Sequence, residues 1–412
     1  MAAARAVGVE VVVASDRRQA LAGTLGDRAL TLRLHDPEDA AERIVRHAER
    51  APLNAIVAAD DAGVLTAAHA CARLGLRGNP PAAAARTRDK AAMRVALGAA
   101  GVAQPAYAVA EPGADVAALA AEVGLPCVVK PLALSASRGV IGANDPAAAA
   151  RAAERVRAIL GEAGCDPTAE CLLVERYVPG PEVAVEGLLR AGRLEPLAVF
   201  DKPDPLEGPF FEETLFVTPS RLPPAVLDGV ERATAAAAAA LELREGPVHA
   251  ELRISGDGRA FVLELAARTI GGLCARTLRF GLGASLEELV LRHALGLPLE
   301  GLRREPAAAG VMMLPIPRAG VLEQVRGTER ALAVPGIAGL ELSINRGRPV
   351  RPLPEGDRYL GFLFARGERP DDIEHALRAA YVELEVRIVD QRATTSPATD
   401  DAALAAASGA TA

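Results

Sequence analysis

Hydrophobic and polar positions in the first 78 residues follow two periods in turn. Residues 9–15 (VEVVVAS) form an apolar run of strand length, 37–51 carry a helical pattern, 54–60 (NAIVAAD) form a second strand-like run, and 63–74 a second helix that Gly75 stops. Strand and helix in alternation predict a small parallel α/β domain over 1–78. Residues 1–8 read as the end of a helix, whereas such a domain normally opens on a strand. The first strand is therefore expected to be missing, through a late start codon or a truncation.

Asn79-Pro80-Pro81 marks a boundary. Beyond it the pattern predicts a helix over 87–100 that carries Asp89-Lys90 and closes at Gly101. A strand 125–131 (LPCVVKP), a small-residue loop 134–140 (LSASRGV) and a helix opened by Asp145-Pro146 follow. Strand 171–178 (CLLVERYV) turns at Pro179-Gly180-Pro181 into strand 182–189. Residues 201–220, rich in Pro, Phe and acid, read as a long loop, and long loops in compact domains are usually functional. Ser285-x-x-Glu288 is a capping box for a helix to about 295. From about 305, short strands between Gly and Pro turns, a helix 371–381 and a strand 383–389 predict a third, smaller α+β unit. Residues 391–412 lack periodicity and are expected to be disordered. The predicted domains are thus 1–78, 79–304 and 305–390.

The stretch 249–268 (HAELRISGDGRAFVLELAAR) predicts a β-hairpin. Asp257-Gly258 suits a two-residue type I′ turn, which pairs Gly256 with Arg259 and brings Glu251 opposite Glu264. Alternation then puts His249, Glu251 and Arg253 on one face with Val262, Glu264, Ala266 and Arg268. Like charges directly opposite are destabilising. A hard divalent cation held by oxygen ligands, such as Mg²⁺ shared with substrate phosphates, resolves that conflict. Two solvated glutamates on an exposed strand are the alternative, and a single bulge would separate them.

Composition narrows the classes. The chain has 412 residues, long enough for several domains, and half are hydrophobic, but with 3 % aromatics and no Trp the core must be built from Leu, Val and Ala. No apolar stretch reaches the roughly 20 residues of a membrane span, and no signal peptide is visible. A net charge of −7 with no basic cluster argues against nucleic acid and for a small-molecule ligand. The five cysteines show no metal-ligand spacing, so reduced thiols in a cytoplasmic protein are expected. A homodimer is the assembly to test.

The ordered set of Asp89-Lys90, Val129-Lys130-Pro131, the loop Ser135 to Gly139, Glu175-Arg-Tyr-Val with Glu182 seven residues on, and Glu251, Glu264 and Arg268 resembles the ATP-grasp superfamily over about residues 10–390. The nearest look-alikes are its L-amino-acid ligase and biotin-carboxylase-like branches, the former also suggested by 351–367 (RPLPEGDRYLGFLFARG). The resemblance implies an N-terminal parallel α/β (preATP-grasp) domain, a central ATP-grasp domain with a mobile lid over about 125–190, and a small C-terminal α+β domain. It implies ATP and Mg²⁺ as cofactors. Lys90 and Lys130 would neutralise the phosphates, and Ser135, Ser137 and Gly139 would cover them. Glu175, Tyr177 and Val178 would frame adenine, and Glu182 would accept the ribose hydroxyls. Glu251 and Glu264 match the Mg²⁺ ligands, although Ala266 stands where a third ligand, Asn, is common. Arg268 and Lys130 would be catalytic. Gly271, Gly272, Arg276 and His249 are candidate substrate contacts, His249 preferably by ordering Glu251.

The activity so implied is a carboxylate–amine ligase. It would join a small-molecule carboxylate, favourably an amino acid, to an amine through an acylphosphate, releasing ADP and phosphate. A bicarbonate-activating carboxylase of the biotin or purine type is one alternative, and a nucleotide-binding protein without catalysis is another.

Overall fold

A computed structural model describes residues 1–18, 22–281 and 283–390. The stretch 391–412, expected to be disordered, lies outside the described residues.

In the N-terminal domain the strand expected over 9–15 shortens to Val13–Ser15, which pairs in parallel with Ala29–Thr31. The strand expected over 54–60 does not form; that segment has no ladder partner among the described residues. Its Ala and Asp residues offer a neighbouring strand little to pack on, while Leu53 and Ile56 still reach the small domain core. Helix Pro37–Ala48 starts where Asp36 accepts a hydrogen bond from the Asp39 N–H at 3.2 Å, with Pro37 in its first turn. Helix Val64–Leu74 ends at Gly75, whose φ of 65° only glycine adopts freely.

The rest of the chain is organised on one eight-stranded antiparallel sheet. Its order is Ala260–Ala266, Gly246–Ile254, Glu182–Arg190, Arg193–Lys202, Leu215–Thr218, Ala308–Leu314, Gly361–Gly367 and Ile337–Leu342. Side-chain alternation divides the sheet into two faces. Val183, Val185, Val248, Ala250, Leu252, Ile254, Val262 and Leu265 pack under helix Pro224–Ala240. The intervening residues Glu182, Glu186, His249, Glu251 and Arg253 point the other way, where Phe200 and Phe216 continue that face into a second core.

The segment 201–220 is not wholly a loop, because Lys202 ends one strand and Leu215–Thr218 forms another. That short strand joins the central portion of the chain to strand Ala308–Leu314 of the C-terminal unit, so the two share a sheet. Helix Pro370–Val382 covers this junction, and strands Gly320–Arg326, Pro349–Val350 and Glu385–Val389 make a separate small sheet.

A four-stranded sheet forms the other wall, in the order Tyr107–Ala110, Leu172–Arg176, Cys127–Pro131, Ile141–Ala143. Helices Val116–Val123 and Pro146–Glu162 pack on it. This body corresponds to the expected lid but runs from 107 to 176. Strand Glu182–Arg190 falls outside it, since its register is taken up by Gly246–Ile254 and Arg193–Lys202. The expected helix 87–100 forms as Lys90–Ala99, beginning where Asp89 accepts from the Ala91 and Ala92 N–H groups, and a separate short helix Pro81–Arg86 precedes it. No described helix is long and apolar enough to cross a membrane.

Gly310 marks the tightest approach between the sheet and its C-terminal helix. A Cβ there would lie 2.7 Å from Ile373 Cγ2, 2.9 Å from the Phe216 carbonyl oxygen and 3.1 Å from Leu377 Cδ1. Backbone cannot yield as a side-chain tip can, so Gly310→Ala should destabilise this part of the chain by roughly 1–3 kcal/mol. Urea unfolding followed by the exchange of amides in 308–314 and 361–367 would read that loss.

Candidate active site

The hairpin that organises the site forms by a different route from the expected one. Gly258 has φ of 82° but Asp257 does not share the positive φ a type I′ turn needs, so Ser255 pairs with Arg259 around the three residues 256–258. Asp257 Oδ1 accepts the Arg259 N–H at 3.2 Å and holds that loop. Arg253 then meets Phe261 and Leu252 meets Val262, one residue out of the expected register. A bulge at Leu263 takes up the extra residue, and Glu251 still lies opposite Glu264. Both line one cavity of about 510 Å³ between the central sheet and the lid body.

Cross-strand pairing arranges charge in rows on that face. Glu182 lies between Arg253 on one neighbouring strand and Lys202 on the other. Arg253 Nε donates to its Oε2 at 2.9 Å and Lys202 Nζ to its Oε1 at 2.7 Å. Lys202 also pairs with Glu213 and lies 3.4 Å from Glu251. Burial works against its charge, yet the three carboxylates outweigh it and hold the ammonium well above its ordinary pKa. Burial and the neighbouring Glu251 and Glu182 lift Glu213 to about 7 despite Lys202. Negative charge is in excess here. Ligand oxygens of Glu182, Glu213 and Glu251 lie within 4.8 Å of one another, an oxygen-only donor set suited to a hard cation. Glu264 is outside that trio and is 3.5 Å from Lys90 Nζ.

His249 Nε2 is 3.3 Å from Glu251, and Nδ1 is 3.6 Å from the fully buried Glu186. Burial would discharge this imidazole, but the two carboxylates raise its pKa. Glu186 also accepts the Ile270 N–H at 2.9 Å and so ties the sheet to the segment that follows Arg268.

On the lid side Lys130 and Glu175 are buried together, with Nζ 2.6 Å from Oε2. Arg94, fully buried, pairs with the other carboxylate oxygen at 2.6 Å. Burial alone would raise the Glu175 carboxyl, but these two cations keep it below its ordinary range. Lys90 donates to the Leu134 carbonyl at 3.0 Å. Ser135 and Ser137 line the cavity, as do Tyr177 and Val178. Gly139 does not; its N–H is taken by the Pro354 carbonyl at 3.1 Å.

Arg268, Gly271 and Gly272 line the opposite side. Arg276 corrects the expectation for it: it pairs with Glu341 at the surface, half exposed, and is not part of the cavity wall. Sequence reasoning also missed Lys202, Glu213, Arg94 and Asp61, and it placed Arg253 on the Glu251 face without giving it a role. Lys202 was visible only to a correct strand register, Glu213 sat in a segment read as loop, and Asp61 follows an apolar run without a strand partner among the described residues.

Three family models match in order along the chain: ATP-grasp N-terminal domain over 1–78, ATP-grasp domain over 123–277, and L-amino acid ligase C-terminal domain 2 over 312–389. With the site's geometry they make the chain a member of the ATP-grasp superfamily. Within it, the chain is similar to the crystal structure of L-amino acid ligase from Bacillus licheniformis, with TM-score 0.73, 25 % identity and 88 % of each chain covered. It is 30 % identical to the uncharacterized protein y4rH of Sinorhizobium fredii over 71 % of this chain, and 29 % identical to alanine–anticapsin ligase of Bacillus subtilis over 62 %. The match spans 61 % and 56 % of those two relatives.

Breaking the buried triad should be costly, because Arg94→Met leaves Glu175 with one cation. A loss of roughly 3–5 kcal/mol is expected in denaturant unfolding. Glu175 has a depressed folded pKa, so its stabilisation is complete above the ordinary 4.5 and fades as pH falls through the folded value. The wild type should therefore lose stability in acid more steeply than Arg94→Met.

Proposed function

We propose that this chain is an ADP-forming carboxylate–amine ligase that activates a small carboxylate with ATP and joins it to an amine, with an amino acid as the favoured substrate. One observation carries the reading: Glu251 and Glu264, opposite each other, share a cavity with Lys90, Lys130 and Arg268, and the buried Lys202 backs Glu251 at 3.4 Å. The C-terminal match to the L-amino acid ligase family favours this chemistry over bicarbonate activation.

Each role follows from position. Lys90 and Lys130 enter from the helix and the lid and together would neutralise a polyphosphate from two sides, while Lys202, buried in the central sheet, would hold Glu182, Glu213 and Glu251 in place. The backbone of 176–178 would read adenine. Glu182 would accept the ribose hydroxyls while it keeps Lys202 and Arg253 in place. Glu251 and Glu264 would hold Mg²⁺, with Glu213 near enough to contribute. Bound Mg²⁺ would supply charge neutralisation along the phosphates. The γ-phosphoryl passes to a carboxylate oxygen, its bond to the β-phosphate bridging oxygen breaks, and ADP leaves. An amine lone pair then attacks the acyl carbon, phosphate departs with the C–O bonding electrons, and the nitrogen gives up a proton. Arg268 would face charge that builds on the transferred group. Gly271 and Gly272 expose backbone toward the substrate carboxylate. The Ser135–Ser137 loop would keep water from the acylphosphate.

Phosphate release from Mg·ATP with pooled amino acids tests the reading, with amide formation followed by mass spectrometry. Glu264→Ala should abolish turnover with the fold intact, and Lys202→Met should lower kcat by roughly 10²–10³-fold. Unchanged turnover in Glu264→Ala would remove the metal assignment. Binding of ATP without turnover on any amino acid or bicarbonate would favour a non-catalytic protein.

A further inference from the structure

Asp61 belongs to the N-terminal domain, yet its side chain reaches the cavity where the other two bodies meet. It opens the short turn Asp61–Gly63, which Asp60 fixes by accepting the Gly63 N–H at 3.1 Å. Each of its oxygens serves a different arginine: Oδ2 lies 2.9 Å from Arg268 and Oδ1 3.0 Å from Arg88. All three side chains are largely shielded, with exposures of 14 %, 15 % and 22 %. We propose that Asp61 is a positioning residue that aims the Arg268 guanidinium at the phosphoryl group in transit and joins it to the root of the phosphate loop. The proposal rests on the reading above, in which Arg268 meets that group.

The hydrogen bonds support both halves. Arg268 donates from its other terminal nitrogen to the Thr269 carbonyl at 3.0 Å. Its guanidinium is thus held at both ends, and the N–H groups left over remain for the cavity. A long side chain loses much rotamer freedom when it is fixed in this way, and a carboxylate that fixes it beforehand removes that entropy from the chemical step. Arg88 passes the connection onward, donating to the Ala133 carbonyl at 3.3 Å. The carbonyls on either side, of Leu132 and Leu134, accept from the backbone N–H and the ammonium of Lys90. One carboxylate therefore links the exit of strand Ala260–Ala266, the approach to helix Lys90–Ala99 and the loop 132–134. It also separates cations that would otherwise face one another uncompensated. Burial opposes its charge, but Arg268 and Arg88 keep the Asp61 carboxyl below its ordinary range.

The test uses the full chain with Asp61→Asn, Asp61→Glu, Arg268→Lys and the Asp61→Asn/Arg268→Lys pair. The probe for the phosphoryl in transit is Mg·ADP with aluminium fluoride, read by thermal shift. Wild type should gain stability from Mg·ADP and a further increment from the fluoride. Asp61→Asn should keep the first and lose the second. In turnover it should lose roughly 10–100-fold in kcat with little change in KM for ATP, and Asp61→Glu should restore part of this. The double variant should be no worse than Arg268→Lys alone.

A full fluoride increment in Asp61→Asn, or additive losses in the double variant, would overturn the proposal. So would a wild type without any fluoride increment. Equal loss of the Mg·ADP shift and of the unfolding temperature in Asp61→Asn and Asp61→Glu would reduce Asp61 to a structural contact and overturn it too. If wild type turns over no amino acid or bicarbonate, the ligase reading fails by itself, while the fluoride increment and its non-additivity still decide the role of Asp61.

Discussion

The site depends on like charges forced to face each other. An antiparallel pair brings directly opposed Cβ atoms to about 5 Å, where two carboxylates repel unless something positive is shared between them. Here Glu251 and Glu264 occupy such a position, and neither strand can slip to relieve it. A shift by one residue would turn Val248, Ala250, Leu252 and Ile254 out of the core under helix Pro224–Ala240. Hydrophobic burial on one face thus fixes an electrostatically unfavourable arrangement on the other. The surrounding cations answer it: Lys202 beside Glu251 and Lys90 beside Glu264, one from the sheet and one from a helix start.

Charge in the rest of the cavity follows the same logic at greater depth. Glu175, Arg94 and Lys130 are all buried, as are Glu182, Arg253 and Lys202. Each ion taken out of water carries a desolvation penalty of several kcal/mol, which only close partners offset. In both groups the acid has two cations at 2.6–2.9 Å, one on each oxygen. Arrangements of this kind add little to stability compared with a packed apolar core, but they prescribe where positive charge stands. Under the proposed function, in which the cavity would receive an anionic nucleotide, that is the useful property.

Most of the fold could be read from the chain because its signals are local. Asp145-Pro146 and Ser285-x-x-Glu288 each cap the helix they predict. What escaped depends on partners distant in sequence. Residues 54–60 form an apolar run of strand length but have no ladder partner among the described residues, and Leu215–Thr218 becomes a strand only because Ala308–Leu314 lies beside it. The hairpin is instructive in a different way. Its turn was misjudged by one residue, and the facing glutamates were still correctly paired because the Leu263 bulge restores the register. Two departures cancelled, one of which no local rule could supply. The same limit hid Lys202: its place beside Glu182 needs the ladder between Glu182–Arg190 and Arg193–Lys202. Arg276 failed for the converse reason, since nearness in sequence to Gly271-Gly272 did not place it near the cavity.

The contacts that hold the lid body differ sharply between its base and its rim. At the base, Arg94 spans from Glu175 in the lid to the Leu263 carbonyl in the central sheet, fully buried. At the rim, Arg155 meets Glu355 and Arg351 meets Glu162, with three of those four side chains close to half exposed. Exposed pairs contribute about 0–1 kcal/mol each and weaken with salt, whereas a buried pair that loses one partner costs several. Any opening of the cavity is therefore easiest along the edge that faces the C-terminal domain, with the Arg94 contact as the part that stays in place. The loop that would cover phosphates lies on that easy edge, because the Gly139 N–H is bonded to the Pro354 carbonyl there.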